Sequence, residues 1–273
     1  MTNTSQTRSP ACETKDLVAP IPAATILLVR DSRQGIEVLM VKRHHEVAFA
    51  AGALVFPGGK AARDDRDAAL ACLCDGADGF APEMRALAIA AIREAFEEAG
   101  VLIARDADTG AFVGEARLGG LQPFRERIEK GQVRLVEFLR EEGLRLACDQ
   151  LAPFAHWITP KSQPKRFDTR FFLARAPAGQ IGQHCGRESV DSLWVRPEDA
   201  VANHDRWKLM FPTRLNLMKL SRAQTVDEAL AVARAATPVT VEPWIESGTD
   251  GKFVRIPDDA GYEITRLPLR DTL

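Results

Sequence analysis

Hydrophobic residues follow two rhythms along this chain. Runs of strand length, Ala24 to Val29 (ATILLV) and Ile36 to Val41 (IEVLMV), flank a polar turn at Asp31 to Gly35 and predict an antiparallel hairpin. Leu54 to Phe56 then runs into Pro57-Gly58-Gly59, a sharp break. Residues 60–81 are mixed and turn-rich, with one short helix predicted over Ala68 to Leu73. The rhythm then changes. Met84, Leu87, Ala88, Ala91, Ile92 and Ala95 recur in steps of three and four, predicting a helix over Glu83 to Ala99. Pro82 suits its first position, and Gly100 supplies the left-handed residue that ends it. Further helices are predicted over Val133 to Glu142, Pro212 to Leu220 and Thr225 to Ala236. Strands are predicted at Trp157 to Thr159, Arg170 to Ala174 and Ser192 to Val195. The last thirty or so residues are punctuated by Pro and Gly and yield no assigned element. Strands interleaved with helices over one core predict an α/β layered domain over residues 21–205. A flexible tail (1–20) precedes it, and a helical extension (206–273) follows.

Composition narrows the setting. Across 273 residues, 36 Lys and Arg face 38 Asp and Glu, a formal charge of −2. That balance argues against a nucleic-acid partner, which calls for a basic excess. A small anionic ligand stays open, because a few positioned cations or one metal suffice locally. Five cysteines, odd in number and without a CxxC pair, fit reduced thiols better than a disulfide scaffold. No run of about 18 apolar residues predicts a membrane span, and the N-terminal stretch has no apolar signal core. The expected location is cytoplasmic.

The chemistry lies in Arg93-Glu94-Ala95-Phe96-Glu97-Glu98-Ala99-Gly100-Val101. On a helix Glu94, Glu97 and Glu98 share one face, and three like charges there repel by a few tenths of a kcal/mol per pair, roughly. A divalent cation reverses that sign. With no His or Cys in the group, the hard oxygen donors suit Mg²⁺ or Mn²⁺ rather than zinc. Arg93 stands beside them to hold a carboxylate in orientation. Clustered Glu on a helix usually marks only a wet face, but here the turns below carry Leu87, Ala90 and Ala91, and the unhindered Phe56-Pro57-Gly58-Gly59 turn lies upstream.

Arg93 to Val101 resembles the second half of the Nudix box, G-x5-E-x7-R-E-U-x-E-E-x-G-U, with Ala95 as the first apolar position; Gly59 matches the opening glycine. Gly59 to Arg93 is twenty residues longer than the box allows, and eight positions before Arg93 stands Arg85 instead of Glu. That Glu generally pairs with the motif Arg, so its loss puts anchoring of the helix in question. An insertion here is similar to the subgroup of peroxisomal CoA and acyl-CoA diphosphatases, as are VFPGG, DQLAPFAHWITP (Asp149 to Pro160) and RFDTRFFLA (Arg166 to Ala174). Gly52, Phe56 to Gly59 and Asp65 fit the end of a CoA-recognition signature, and Arg43 its leading Arg, whereas Phe49 stands where a second Arg is expected. The resemblance implies a Nudix α/β/α sandwich with a mixed sheet, an insertion inside the box (about 60–81) and a helical C-terminal extension.

By resemblance, Glu94, Glu97 and Glu98 are metal ligands with the Gly59 or Gly58 carbonyl, and Glu97 or Glu94 is the general base beside Arg93. Glu188, before the strand at Leu193 to Val195, is a candidate fourth acid, with a solvated surface Glu as the commoner reading. Arg43, Phe56, Gly58 and Gly59 are the candidate substrate contacts. The implied activity is Mg²⁺- or Mn²⁺-dependent diphosphatase (pyrophosphatase) action on a nucleoside diphosphate derivative, CoA or acyl-CoA foremost. The alternatives are ADP-ribose or NADH hydrolysis, or a non-catalytic nucleotide sensor. Dimers are common in the family, which admits a homodimer. Asp64, Asp65 and Asp67 are read as a solvated turn, His156, His184 and His204 as structural, and Trp157, Phe171, Phe172 and Trp194 as core.

Overall fold

The two apolar runs form the predicted hairpin, but longer: β1 spans Ile21–Ser32 and β2 Gly35–Arg43. In the computed structural model, which describes residues 18–44, 51–182 and 189–272, this hairpin is the centre of an eight-stranded mixed sheet. The following elements are β3 (Leu54–Val55), β4 (Gly58–Lys60), α1 (Ala68–Ala71), β5 (Cys74–Asp75), α2 (Pro82–Ala99) and β6 (Ala104–Asp106). After them come α3 (Glu115–Glu129), α4 (Leu135–Glu141), β7 (Leu144–Ala147), β8 (Ala152–Ile158), β9 (Phe167–Arg175) and β10 (Ser189–Val195). The C-terminal part contributes α5 (Pro197–Ala202), α6 (His204–Trp207), α7 (Phe211–Leu220), α8 (Val226–Ala235), β11 (Thr240–Val241), β12 (Trp244–Gly248), β13 (Gly251–Arg255) and β14 (Arg266–Pro268).

The sheet runs β10-β2-β1-β9-β8-β11, with β3 on β2 and β4 on β1. The β1–β9 pairing is parallel, and β1 meets β2 and β4 antiparallel. Alternating side chains separate two cores. Ile26, Leu28, Leu39, Phe172 and Ala174 pack with α2, α3 and α4 on one face. Leu27, Val29, Met40, Phe171 and Trp157 pack with α7 and α8 on the other. Helix, sheet and helix thus form the expected α/β/α layers.

Three departures from the sequence expectation have physical causes. α3 was not foreseen, because Gly119, Gly120 and Pro123 lower helix propensity; burial of Leu118, Leu121 and Ile128 overrides it. The insertion is not a loose loop: β5 pairs in parallel with β7, and Asp75 accepts hydrogen bonds from Arg105 (2.8 Å) and Arg145 (2.7 Å). The last thirty residues form a second small sheet, β12-β13-β14, whose neighbours Ile256 and Tyr262 enter the second core. There Tyr262 accepts from Trp157 Nε1 (2.8 Å) and donates to Asn216 (2.7 Å). Among the described cysteines, Cys72, Cys74 and Cys148 are free thiols. No helix among the described residues is long and apolar enough to cross a membrane.

Candidate active site

The site is built where the second half of α2 crosses β1 and β4. Gly100, at φ +65°, ends α2: its N–H bonds the Phe96 carbonyl (2.9 Å) and that of Val101 bonds Ala95 (3.3 Å). This stop leaves Glu94, Glu97 and Glu98 in the last two turns, with Glu97 and Glu98 only 6% and 5% exposed. The wet-face reading of the cluster therefore fails: these carboxylates are inside.

Two glycines make room for them. Gly58 and Gly59 lie on β4, opposite Thr25 and Ala24. The Gly58 N–H donates to Glu98 Oε2 at 3.0 Å. A Cβ on Gly59 would come within 2.5 Å of Glu94 Oε1, and one on Gly58 within 2.6 Å of the Ala24 carbonyl. No other residue lets this backbone approach the acids so closely. Arg43, at the end of β2, brings Nη1 to 3.8 Å from Glu98 Oε1. Arg43, Gly58, Gly59 and the three acids are thus brought together. Phe56 is not: its ring is buried in the second core with Leu54 and Met40. Glu188 lies outside the described residues, as do His45, Phe49 and His184.

Arg93 organises the cluster. Its Nη1 donates to Glu94 (3.0 Å) and Glu97 (2.9 Å), and its Nη2 to the Lys60 carbonyl (2.9 Å). The other edge of the guanidinium forks onto Asp65, Nε to Oδ1 at 2.9 Å and Nη2 to Oδ2 at 3.0 Å. Burial works against the Arg93 charge, but the Asp65 hydrogen bond and the surrounding carboxylates raise its pKa above the ordinary value. Asp65 is 1% exposed, so the solvated-turn reading of this residue is corrected. The signal was present in the sequence. Counted forward from Gly59, the acid of G-x5-E falls on Asp65; counted back from Arg93, it falls on Arg85. The twenty extra residues therefore follow the acidic position of the box, and the anchoring acid is kept as Asp.

The charge balance is uneven. Burial is the main cause that raises the Glu97 pKa to about 7; Arg93 opposes it and Glu94 adds to it. Among the described residues no three acidic, His or Cys side chains converge as a ready cation site; Arg93 stands between Glu94 and Glu97 instead. The donor set nonetheless fits a hard divalent cation. It consists of oxygens alone, it is largely shielded from solvent, and burial raises the pKa of one of its acids, Glu97, to about 7.

Comparison with known proteins identifies the family and the fold. The family description "NUDT19 Nudix domain" matches residues 74–220, more than half of the chain. A nudix hydrolase of Caenorhabditis elegans, "Putative nudix hydrolase 7", is 26% identical over 223 residues, covering 81% of this chain and 67% of its own. The acyl-coenzyme A diphosphatase NUDT19 of Homo sapiens is 28% identical over 208 residues, 61% of this chain and 55% of its own; that of Xenopus laevis is 23% identical over 215, 64% and 57%. The chain thus spans little more than half the length of these two diphosphatases. A crystal structure of a NUDIX hydrolase from Alicyclobacillus acidocaldarius superimposes with a TM-score of 0.68 at 28% identity, over 80% of this chain and 99% of the other.

Proposed function

The chain belongs to the Nudix hydrolases, in the group of the NUDT19 Nudix domain, and from that premise we propose that it cleaves the diphosphate linkage of CoA or acyl-CoA with Mg²⁺ or Mn²⁺. Nudix hydrolases generally use divalent metals. The observation that carries the reading is the set Glu94, Glu97 and Glu98, largely shielded from solvent and packed against glycine backbone, with Arg93 on the first two and Arg43 beside the third. A binding module has no use for three acids held together at such electrostatic cost. The names of the vertebrate relatives favour acyl-CoA over other diphosphates.

Glu94, Glu97, Glu98 and the Gly59 carbonyl would hold the cation. When bound, it polarises the phosphoryl group and lowers the pKa of water. Glu97 or Glu94 would serve as general base, each carboxylate oriented by Arg93. Arg93, fixed in turn by Asp65, keeps Glu94 and Glu97 pointed at one region. Arg43 lies beside Glu98, where it can meet a substrate phosphate. The test is a panel of CoA, acyl-CoA, ADP-ribose, NADH and diadenosine polyphosphates with Mg²⁺ or Mn²⁺, products identified by mass. CoA or acyl-CoA should give the highest kcat/KM. A panel without turnover above a Glu98→Gln control sinks the enzyme reading, and a preference for ADP-ribose or NADH sinks the CoA assignment.

A further inference from the structure

Near the first turn of α2 the sheet carries polar side chains that the proposed reaction does not use. Strand register sets Gly59, Ala24, Arg170, His156 and Thr240 side by side across β4, β1, β9, β8 and β11. His156, 4% exposed, is held at both ring nitrogens. Nδ1 lies 2.7 Å from Thr240 Oγ1, and Nε2 lies 2.6 Å from Asp168 Oδ1. Burial keeps its pKa below the usual histidine value despite Asp168, so the ring is neutral at pH 7. The neutral ring donates Nε2–H to Asp168 and accepts the Thr240 hydroxyl at Nδ1. The Asp168 carboxylate is therefore turned to His156. Arg170, two residues further on the same side of β9, makes no hydrogen bond or ion pair among the described residues, and it faces the His156 ring.

Arg170 borders a cavity of about 160 Å³, lined also by Met84, Pro153, Phe172, Thr237 and Pro238. That is close to the roughly 150 Å³ of an apolar cavity that holds benzene. The α2 terminus beside it has no side-chain cap at Ala81, and its first turn carries the exposed Glu83. A half-buried cation against apolar walls is costly without a counter-charge. We propose that this cavity binds a small carboxylate with an apolar body. One delocalised monoanion matches one guanidinium fork, and its hydrocarbon part matches Met84, Phe172 and the two prolines. A phosphate dianion would bring twice the charge to a single cation and nothing to bury. Met84 precedes Glu94 by ten helical residues, about 15 Å, so the apolar end of the cavity lies apart from the three acids.

Hexanoate is the probe, with hexanol and inorganic phosphate as controls, measured by calorimetry and ligand-observed NMR on the full chain. Hexanoate should bind saturably, hexanol at least tenfold more weakly, and phosphate not at all in competition with it. Arg170→Met should weaken hexanoate tenfold or more without lowering the thermal midpoint. Met84→Trp, which fills the cavity and keeps Arg170, should abolish hexanoate binding and leave CoA hydrolysis as in the wild type. The proposal is overturned if wild type binds no hexanoate, if phosphate displaces it, or if Met84→Trp binds it as tightly as wild type. Should Arg170→Met fail to fold, the Met84→Trp result decides.

Discussion

The two ends of α2 handle charge in opposite ways. At its C-terminal end three carboxylates crowd into two turns, where the helix dipole is already negative. Burial and the charge of Glu94 oppose the ionisation of Glu97; Arg93 answers Glu94 and Glu97, and Arg43 stands beside Glu98. At its N-terminal end the dipole is positive, Glu83 stands in the first turn, and the neighbouring Arg170 has the acid two residues before it, Asp168, hydrogen-bonded to His156. One end is short of positive charge, and the other carries a guanidinium with no hydrogen-bond partner among the described residues. Burying charge without compensation costs several kcal/mol, roughly, so each end is poised for a ligand of the missing sign. The same helix thus separates a cation-seeking site from an anion-seeking one.

The largest blow to the acidic end should come from Glu97→Gln or Glu98→Gln. Either removes a charge that the cation needs, and we expect kcat for CoA to fall about 100-fold or more, with the fold retained. Retained wild-type turnover in both variants breaks the assignment of the acids. Asp65→Ala attacks the support instead. It strips the forked partner from a buried Arg93 that keeps Glu94 and Glu97, so the expected loss is about 3 kcal/mol in a urea titration, the lower end for a broken buried pair. Asp65→Asn should lose less, since its amide oxygen still accepts one hydrogen bond. Equal stability of Asp65→Ala and wild type would show that Arg93 needs no anchor from the insertion.

The pH response sharpens the contrast further. The Glu97 pKa rises from its ordinary carboxylate value to about 7 in the folded, metal-free protein. Ionising it therefore disfavours the fold. This residue's contribution weakens stability progressively from about pH 4.5 to 7 and stays level above that. A cation binds the ionised form, so the rise in Tm caused by Mg²⁺ should be small at pH 6 and larger at pH 8. Differential scanning fluorimetry at both pH values, with Glu97→Gln as control, reads this directly. A Mg²⁺ effect equal at pH 6 and 8 would separate Glu97 from cation binding.

What the sequence disclosed follows the same division. Elements with clean periodicity, such as the β1–β2 hairpin and α2, were legible because local pattern and tertiary burial agree. α3 was hidden by its glycines and proline, and β5 and β12 to β14 by lengths of two to five residues that carry no period. At the site, the three acids and Arg93 could be read because they share one helix. Asp65 escaped because its partner lies 28 residues away, and Arg170 because an isolated arginine on a strand has no pattern at all. Phe56 sits next to the glycine turn in sequence, yet strand alternation sends its ring to the opposite core.

The smallest expected effect tests how the box is to be counted. Arg85 occupies the position eight before Arg93, where an uninterrupted box has its acid. Residue 85 lies on the first turn of α2, about 12 Å along the axis from Arg93, beyond the reach of a glutamate side chain. Arg93 already has Asp65 on its outer edge. Arg85→Glu should therefore change stability by about 0.5 kcal/mol or less, in the favourable direction, because an acid suits the first turn of a helix. It should also fail to restore an Asp65→Ala protein. If Arg85→Glu recovers the stability and turnover lost in Asp65→Ala, the acid of the box has to be counted back from the helix after all, and the insertion becomes a separate brace rather than a spacer set between the box acid and its arginine.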